Sequence, residues 1–217
     1  MSDPRLDMPQ LRIGDEPAGA AEAGPPPAWH ELLGRWLAGA IDSGLVGQGN
    51  AMQVATLGAD GHPAVRSVLC KGIDERGAVF YTNLESDKAR QLGAHPHAEA
   101  VLAWVPLERQ VRIRGPVEPV GREQTLEYWA TRPRGSQLGA WASPQSRPLP
   151  SRAWLDQRFD EAEARFAGGQ VPLPPHWGGF RIVADRVEFW AGGPDRRHER
   201  LLWRRSGEDW AIERLAP

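Results

Sequence analysis

From residue 51 onward the chain is a succession of short alternating or apolar runs separated by turn residues, and this limits the possible fold more than any other feature. AMQVATLG is followed by the turn Ala59-Asp60-Gly61-His62-Pro63 and then by AVRSVLCKGI, which reads as a hairpin. Glu75-Arg76-Gly77 turns the chain into AVFYTN, and HAEAVLAWVP and RQVRIRGPVEPV form another strand pair. The last third supplies GGFRIVA, RVEFWAGG, RLLWRRSG and DWAIERL. Consecutive strands without regular helical crossovers argue against a doubly wound parallel sheet. The expected fold is mainly β with α: an antiparallel barrel with helices packed outside it.

Four segments read as helical. Trp29, Leu32, Leu33, Trp36, Leu37 and Ile41 form the stripe of an amphipathic helix. Ser86 is placed to cap SDKARQLGAH. REQTLEYWATR is ended by Pro133, and SRAWLDQRFDEAEARFAGG opens on a capping Ser151 and ends in glycines. Residues 1–27 show no apolar period and run into Pro25-Pro26-Pro27, so they read as a flexible arm ahead of a domain over 28–217.

Composition removes several function classes. A formal charge of -2 over 217 residues gives no basic face for a phosphate backbone, so nucleic acid is not an expected partner. One cysteine, Cys70, leaves no disulfide framework and no cysteine-based zinc site. His95 and His97 lie two apart, but no cluster completes a metal shell, so no metal is expected. The start lacks an apolar leader and no run of eighteen apolar residues occurs, which predicts a cytoplasmic, non-membrane protein. Glycine-loop nucleotide fingerprints are absent, so any nucleotide cofactor must be held by a barrel surface.

Four clusters carry candidate chemistry. Arg66 to Lys71 lies on a strand whose period of two puts Arg66 and Lys71 on opposite faces unless a bulge intervenes. It is either a charged edge strand or a segment that meets two anionic groups. Tyr128, Arg132 and Ser136, spaced four and four, are either a solvated helix end or a phosphate clamp. Gln110, and Gln145-Ser146 in the loop ASPQSRP, offer amides able to read a heterocycle edge. Glu188-Phe189-Trp190 precedes Gly192-Gly193 and then Arg196, Arg197, His198 and Arg200, which is either a basic surface turn or a cationic run suited to an anionic or electron-rich partner. Only Lys71 and Lys88 are lysines among 26 basic side chains, and an ammonium is not interchangeable with a guanidinium.

RSVLCK, VFYTN, ERQVRIRG, YWATRPRGSQLGAWAS, VPLPPHWGGFRI, the VEFW-GG-R-H-R pattern and the terminal RLAP, in this order over about residues 50–217, resemble the signatures of the pyridoxine (pyridoxamine) 5′-phosphate oxidase family. The resemblance implies an FMN-binding split barrel in a homodimer, with each flavin at the subunit interface. It implies that Arg66, Lys88, Gln145 and Ser146 hold FMN. Ser67, Val68, Leu69, Cys70, Lys71, Tyr81, Thr82, Gln110, Trp190 and Arg200 would line the same flavin site. Lys71, Tyr128, Arg132 and Ser136 would grip the substrate phosphate, and Arg196 and His198 would act at its pyridine ring as the catalytic pair.

The implied reaction is oxidation of pyridoxamine or pyridoxine 5′-phosphate by oxygen to pyridoxal 5′-phosphate. Three departures stand against the family pattern. The only tyrosines are Tyr81 and Tyr128, so the Arg-x-x-Tyr of the family's arm is missing. Asp87 stands where a basic residue is usual, and Arg197 where an apolar one is usual. The rival readings are a flavin oxidase of another heterocycle, as in phenazine-forming relatives, and a carrier of FMN or pyridoxal phosphate that does not turn over.

Overall fold

A computed structural model describes residues 27–217, so the expected arm over 1–27 lies outside the described residues except for Pro27. Helix α1 (Trp29–Asp42) precedes strands β1 (Ala51–Leu57), β2 (Pro63–Leu69), β3 (Gly72–Asp74) and β4 (Gly77–Asn83). Helix α2 (Asp87–Ala94) leads to β5 (His97–Trp104) and the eleven-residue β6 (Arg109–Pro119). Helices α3 (Arg122–Thr131), α4 (Arg134–Ala142) and α5 (Arg152–Arg165) come next. The chain closes with β7 (Trp177–Val183), β8 (Arg186–Ala191), β9 (Glu199–Ser206) and β10 (Asp209–Arg214).

Every strand pairing is antiparallel, as expected for a chain joined by hairpins and short helices. The main path runs β10-β9-β8-β6-β5-β1-β2, and β7, β4 and β3 branch from β6. Strand β6 serves both parts. Arg109 to Arg114 pair with β8, and Val117 to Pro119 pair with β7. The switch falls at Gly115, where a Cβ would meet the Val183 carbonyl oxygen at 1.8 Å, so only glycine lets the two backbones pass.

The core fills the concave side of the sheet. Met52, Val54, Ala100, Leu102, Val111, Ile113, Val187 and Phe189 alternate inward from four central strands, and α1 covers them with Trp29, Leu33 and Trp36. Each such large side chain contributes roughly 1.5–3 kcal/mol by leaving water. Ile41, expected on the buried stripe, is 55% exposed: α1 turns Ala40 inward instead, and Ile41 packs beside the Gly49 backbone. A second cluster of Trp129, Leu138, Ala162, Val171 and Trp177 ties α3, α4 and α5 to β7.

Three further expectations change. AVRSVLCKGI is two strands, because β2 pairs with β1 in one sheet and β3 pairs with β4 in the other. Cys70 and Lys71 make the crossing: the Cys70 N–H donates to Asn50 O at 2.9 Å, and the Lys71 N–H to Val79 O at 2.8 Å. Helix α4 is an addition to the expected set, since Pro133, Gly135 and Gly139 all lower helix propensity; its Leu138 and Ala142 are nevertheless buried. Ser86 makes no side-chain cap bond at α2. Ser151, in contrast, caps α5 as expected, accepting from the Trp154 N–H at 3.1 Å.

Candidate functional site

A cleft of about 660 Å³ opens where β2, the Cys70-Lys71 crossing, β4, α2, the end of α3 and α4 come together. Of the expected site residues, Arg66, Ser67, Val68, Leu69, Lys71, Tyr81, Thr82, Lys88, Tyr128, Arg132, Ser136, Gln145 and Ser146 all line it. The sheet crossing is why Arg66 and Lys71 both reach the cleft despite their odd spacing: the strand ends at Leu69 and the period of two ends with it.

One end of the cleft holds Arg66 and Lys88. The buried Lys88 ammonium donates to Thr82 Oγ1 at 3.0 Å, Gln145 Oε1 at 3.1 Å and Ser86 Oγ at 3.3 Å. Arg66 donates to Thr56 Oγ1 at 2.5 Å, Gln91 Oε1 at 2.8 Å and Val54 O at 3.2 Å. All six acceptors are neutral. Burial, and then the charge of Arg66, push the Lys88 ammonium down to about 8, with Asp87 opposing. Burial likewise lowers Arg66. Two cations so placed favour an anionic ligand, because a carboxylate partner is missing among the described residues. Asp87 lies beside them but is paired with Arg90, while its backbone N–H donates to Ser146 Oγ at 3.2 Å. Ser146 reaches that position with a left-handed φ of 69°.

The other end holds Lys71, Tyr128, Arg132 and Ser136. Tyr81 and Tyr128 stack with centroids 4.2 Å apart, and Trp177 lies nearly parallel to both at 5.5 and 6.0 Å. The Arg132 guanidinium lies 4.8 Å from the Trp177 centroid and 5.7 Å from that of Trp129. Arg132 Nη2 donates to the Ser136 carbonyl at 3.0 Å, while its Nε is buried without a partner among the described residues. Lys71 Nζ stands 5.8 Å from the Tyr128 centroid. This end again joins two cations to aromatic faces and neutral acceptors, which suits a phosphate group.

Cys70, Gln110, Trp190, Arg196, His198 and Arg200 do not line this cleft. Cys70 is buried in the core, and burial pushes its thiol up to about 11, so it is protonated and inert at neutral pH. Gln110, Trp190 and Arg200 sit opposite one another on β6, β8 and β9. They share the sheet face turned away from the core, since Val111, Phe189 and Leu201 point inward. The Trp190 ring lies 4.7 Å from that of His198. The Gly193 N–H donates to His198 Nδ1 at 3.3 Å, which makes Nδ1 an acceptor and leaves the ring proton on Nε2. Asp195 and Arg196 both hold left-handed backbone, with φ of 53° and 60°, so Arg196 is presented on a strained turn. Glycine is required at 193, where a Cβ would meet the Arg197 carbonyl oxygen at 2.3 Å.

Asn83, Gly139, Ala140, Ser143 and Trp177 line the cleft in addition to the expected residues. The signal for Trp177 was the pair that follows it. Gly179 lacks the Cβ that would meet the Tyr81 ring at 2.8 Å, so the stack depends on a glycine close to the tryptophan.

Among known proteins, the sequence model described as pyridoxamine 5′-phosphate oxidase matches residues 43–166. The one described as the pyridoxine 5′-phosphate oxidase C-terminal dimerisation region matches residues 177–217. The chain is 48% identical to a pyridoxine/pyridoxamine 5′-phosphate oxidase of Saccharopolyspora erythraea over 100% of this chain and 98% of that one. It is 48% identical to a protein of the same name from Rubrobacter xylanophilus, over 98% of each. Among solved structures it resembles PhzG from Burkholderia lata in complex with tetrahydrophenazine-1-carboxylic acid. That likeness has a TM-score of 0.83 and 34% identity, and covers 88% of this chain and 94% of that one.

Proposed function

The chain belongs to the pyridoxamine 5′-phosphate oxidase family, and on that premise we propose that it oxidises pyridoxamine 5′-phosphate and pyridoxine 5′-phosphate to pyridoxal 5′-phosphate. FMN is the cofactor and oxygen the final oxidant. The observation that carries the reading is one cleft with two cation pairs, Arg66 with Lys88 among neutral acceptors and Lys71 with Arg132 against aromatic rings. Such a cleft fits two phosphorylated ring systems side by side.

Arg66 and Lys88 hold the FMN phosphate, helped by Gln145 and by Ser146. Lys71, Tyr128, Arg132 and Ser136 hold the phosphate of the substrate, which fixes one end of the pyridine ring. FMN, when bound, supplies the acceptor for the hydride leaving the substrate's exocyclic carbon. The protein's contribution is orientation, and a fixed near-attack geometry is worth orders of magnitude in rate. His198, with its proton on Nε2, donates a hydrogen bond to the substrate, and Arg196 positions the ring. Two electrons pass from substrate to oxygen, giving hydrogen peroxide; with the amine substrate, water releases ammonia.

Trp190, Arg196, His198 and Arg200 all fall within residues 177–217, the span that matches the dimerisation region and supports a homodimer. The reading is therefore that a second copy brings these residues over the cleft. The likeness to PhzG favours a second reading, oxidation of an unphosphorylated heterocycle. That substrate would leave Lys71 and Arg132 without an anion.

The test is pyridoxal 5′-phosphate formation in air from each phosphorylated substrate by the FMN-loaded protein, followed by absorbance. Turnover that falls at least a hundredfold in Arg132→Ala supports the reading. Loaded protein that forms no product from either substrate would overturn it.

A further inference from the structure

We propose that Glu188 is a positioning residue for Arg200, fixing the guanidinium in the pose in which it meets the flavin; this rests on the proposed FMN-dependent function. Glu188 lies on the outer face of β8 with a side chain only 5% exposed. Its Oε1 accepts from both Nε and Nη2 of Arg200, at 3.0 and 2.8 Å. Arg112 Nη1 and Arg186 Nη2 stand farther off, 3.5 and 3.9 Å from Oε2. Arg200 Nη1 donates to the Ala216 carbonyl at 2.9 Å, and the Leu215 N–H donates to the Arg200 carbonyl at 3.0 Å. The guanidinium is thus gripped from two sides.

A guanidinium carries five N–H groups. Three are used within the chain, so one hydrogen on each terminal nitrogen remains for an acceptor, on the face that Arg200 shares with Trp190 and Gln110. A buried carboxylate adds little to stability compared with an apolar residue of similar size, because desolvation offsets its ion pairs. The charge of Glu188 is shared with Arg112 and Arg186 at Oε2, while Oε1 accepts from Arg200 alone among the described residues. Its use is directional: without it, a long side chain at the edge of a ligand site regains its rotamers and must lose them again on binding.

FMN titration of the apoprotein, read by quenching of flavin fluorescence, tests this without turnover. Glu188→Gln, which leaves a neutral acceptor where a charged one stood, is expected to weaken FMN binding about 5- to 20-fold, the scale of the difference between a charge-assisted and a neutral hydrogen bond. In an Arg200→Ala background the same substitution is expected to change nothing further. Equal weakening in both backgrounds, or none in the wild-type background, would overturn the inference. Should Glu188→Gln fail to fold, Glu188→Asp, whose shorter side chain draws the carboxylate back from Arg200, is expected to weaken FMN binding in the same way, and only while Arg200 is present. A wild-type protein that binds no FMN would overturn the proposed function itself. FMN binding that is lowered by Arg200→Ala but not by Glu188→Gln removes only the role of Glu188.

Discussion

The guanidinium of Arg132 lies against Trp177, 4.8 Å from the ring centroid, with no carboxylate paired to it among the described residues. An aromatic face attracts a cation without cancelling its charge, so Arg132 is held in place and still available to an anion. Trp177→Leu is expected to raise the KM for pyridoxamine 5′-phosphate about 2- to 30-fold, for a lost contact of about 0.5–2 kcal/mol. Trp177→Phe keeps a face and should lie between. Steady-state kinetics, with pyridoxal 5′-phosphate titration as a binding control, would show this; an unchanged KM in the leucine variant would count against it.

Lys88 gives two pH dependences of opposite sign. Its ammonium is pushed down to about 8 in the fold, below the usual 10.5, so between those values the unfolded chain holds the extra proton. The cost of the buried charge is fully present below pH 8 and is relieved as pH rises from 8 toward 10.5. The apoprotein therefore gains stability from Lys88 over that window. FMN affinity moves the other way, because the neutral amine no longer attracts phosphate. Denaturation and flavin titration at pH 7.5, 8.5 and 9.5 should diverge, and Lys88→Arg should flatten both trends.

Asp87 is the one carboxylate lining the Arg66–Lys88 end among the described residues. It is half-exposed and paired with Arg90, so its unfavourable field at the phosphate is weak and open to salt. Asp87→Asn should tighten FMN about 2- to 5-fold at low ionic strength, and the gain should vanish near 1 M salt. Weaker binding in this variant would show that the carboxylate serves the helix start more than it opposes the phosphate.

Gly115 is the point where β6 passes from one sheet to the other. Gly115→Ala should cost about 3 kcal/mol or more, because the added carbon meets backbone that cannot yield. Gly121→Ala, with open space around the added carbon, is the control. Chemical denaturation of the two variants compares them directly.

The separation of Arg132 from Arg196 can be read by mixing lesions. Coexpressed Arg132→Ala and Arg196→Ala chains form mixed dimers in which one site carries both lesions and the other carries neither. About a quarter of wild-type activity is expected from a statistical mixture, although each parent is inactive. If each chain built its whole site alone, the mixture would stay inactive.

Much of this arrangement was legible from residue patterns. Alternation located the strands, the tryptophan and leucine stripe located α1, and Ser151 located the start of α5. Local patterns do not reveal where a chain changes sheets, and so the Cys70-Lys71 crossing was hidden inside one apparent strand. Helix α4 was masked by its glycines, because burial of Leu138 and Ala142, and not propensity, holds it. The cleft residues from Arg66 to Ser146 and the Gln110–Trp190–Arg200 row read as one site in sequence. They form two groups in the chain, since a motif order carries no statement of which copy supplies each part.

The strained Arg196 turn and the cleft occupy different parts of one chain. If a second copy closes the cleft, a single molecule is a catalyst with its two working parts held out of each other's reach. Dilution then does more than slow the encounter with substrate. Below the concentration at which copies associate, activity per molecule falls in step with concentration, and total activity with its square, although every chain remains folded. Abundance itself becomes a control on output, and FMN, gripped from both sides, would favour the assembled form.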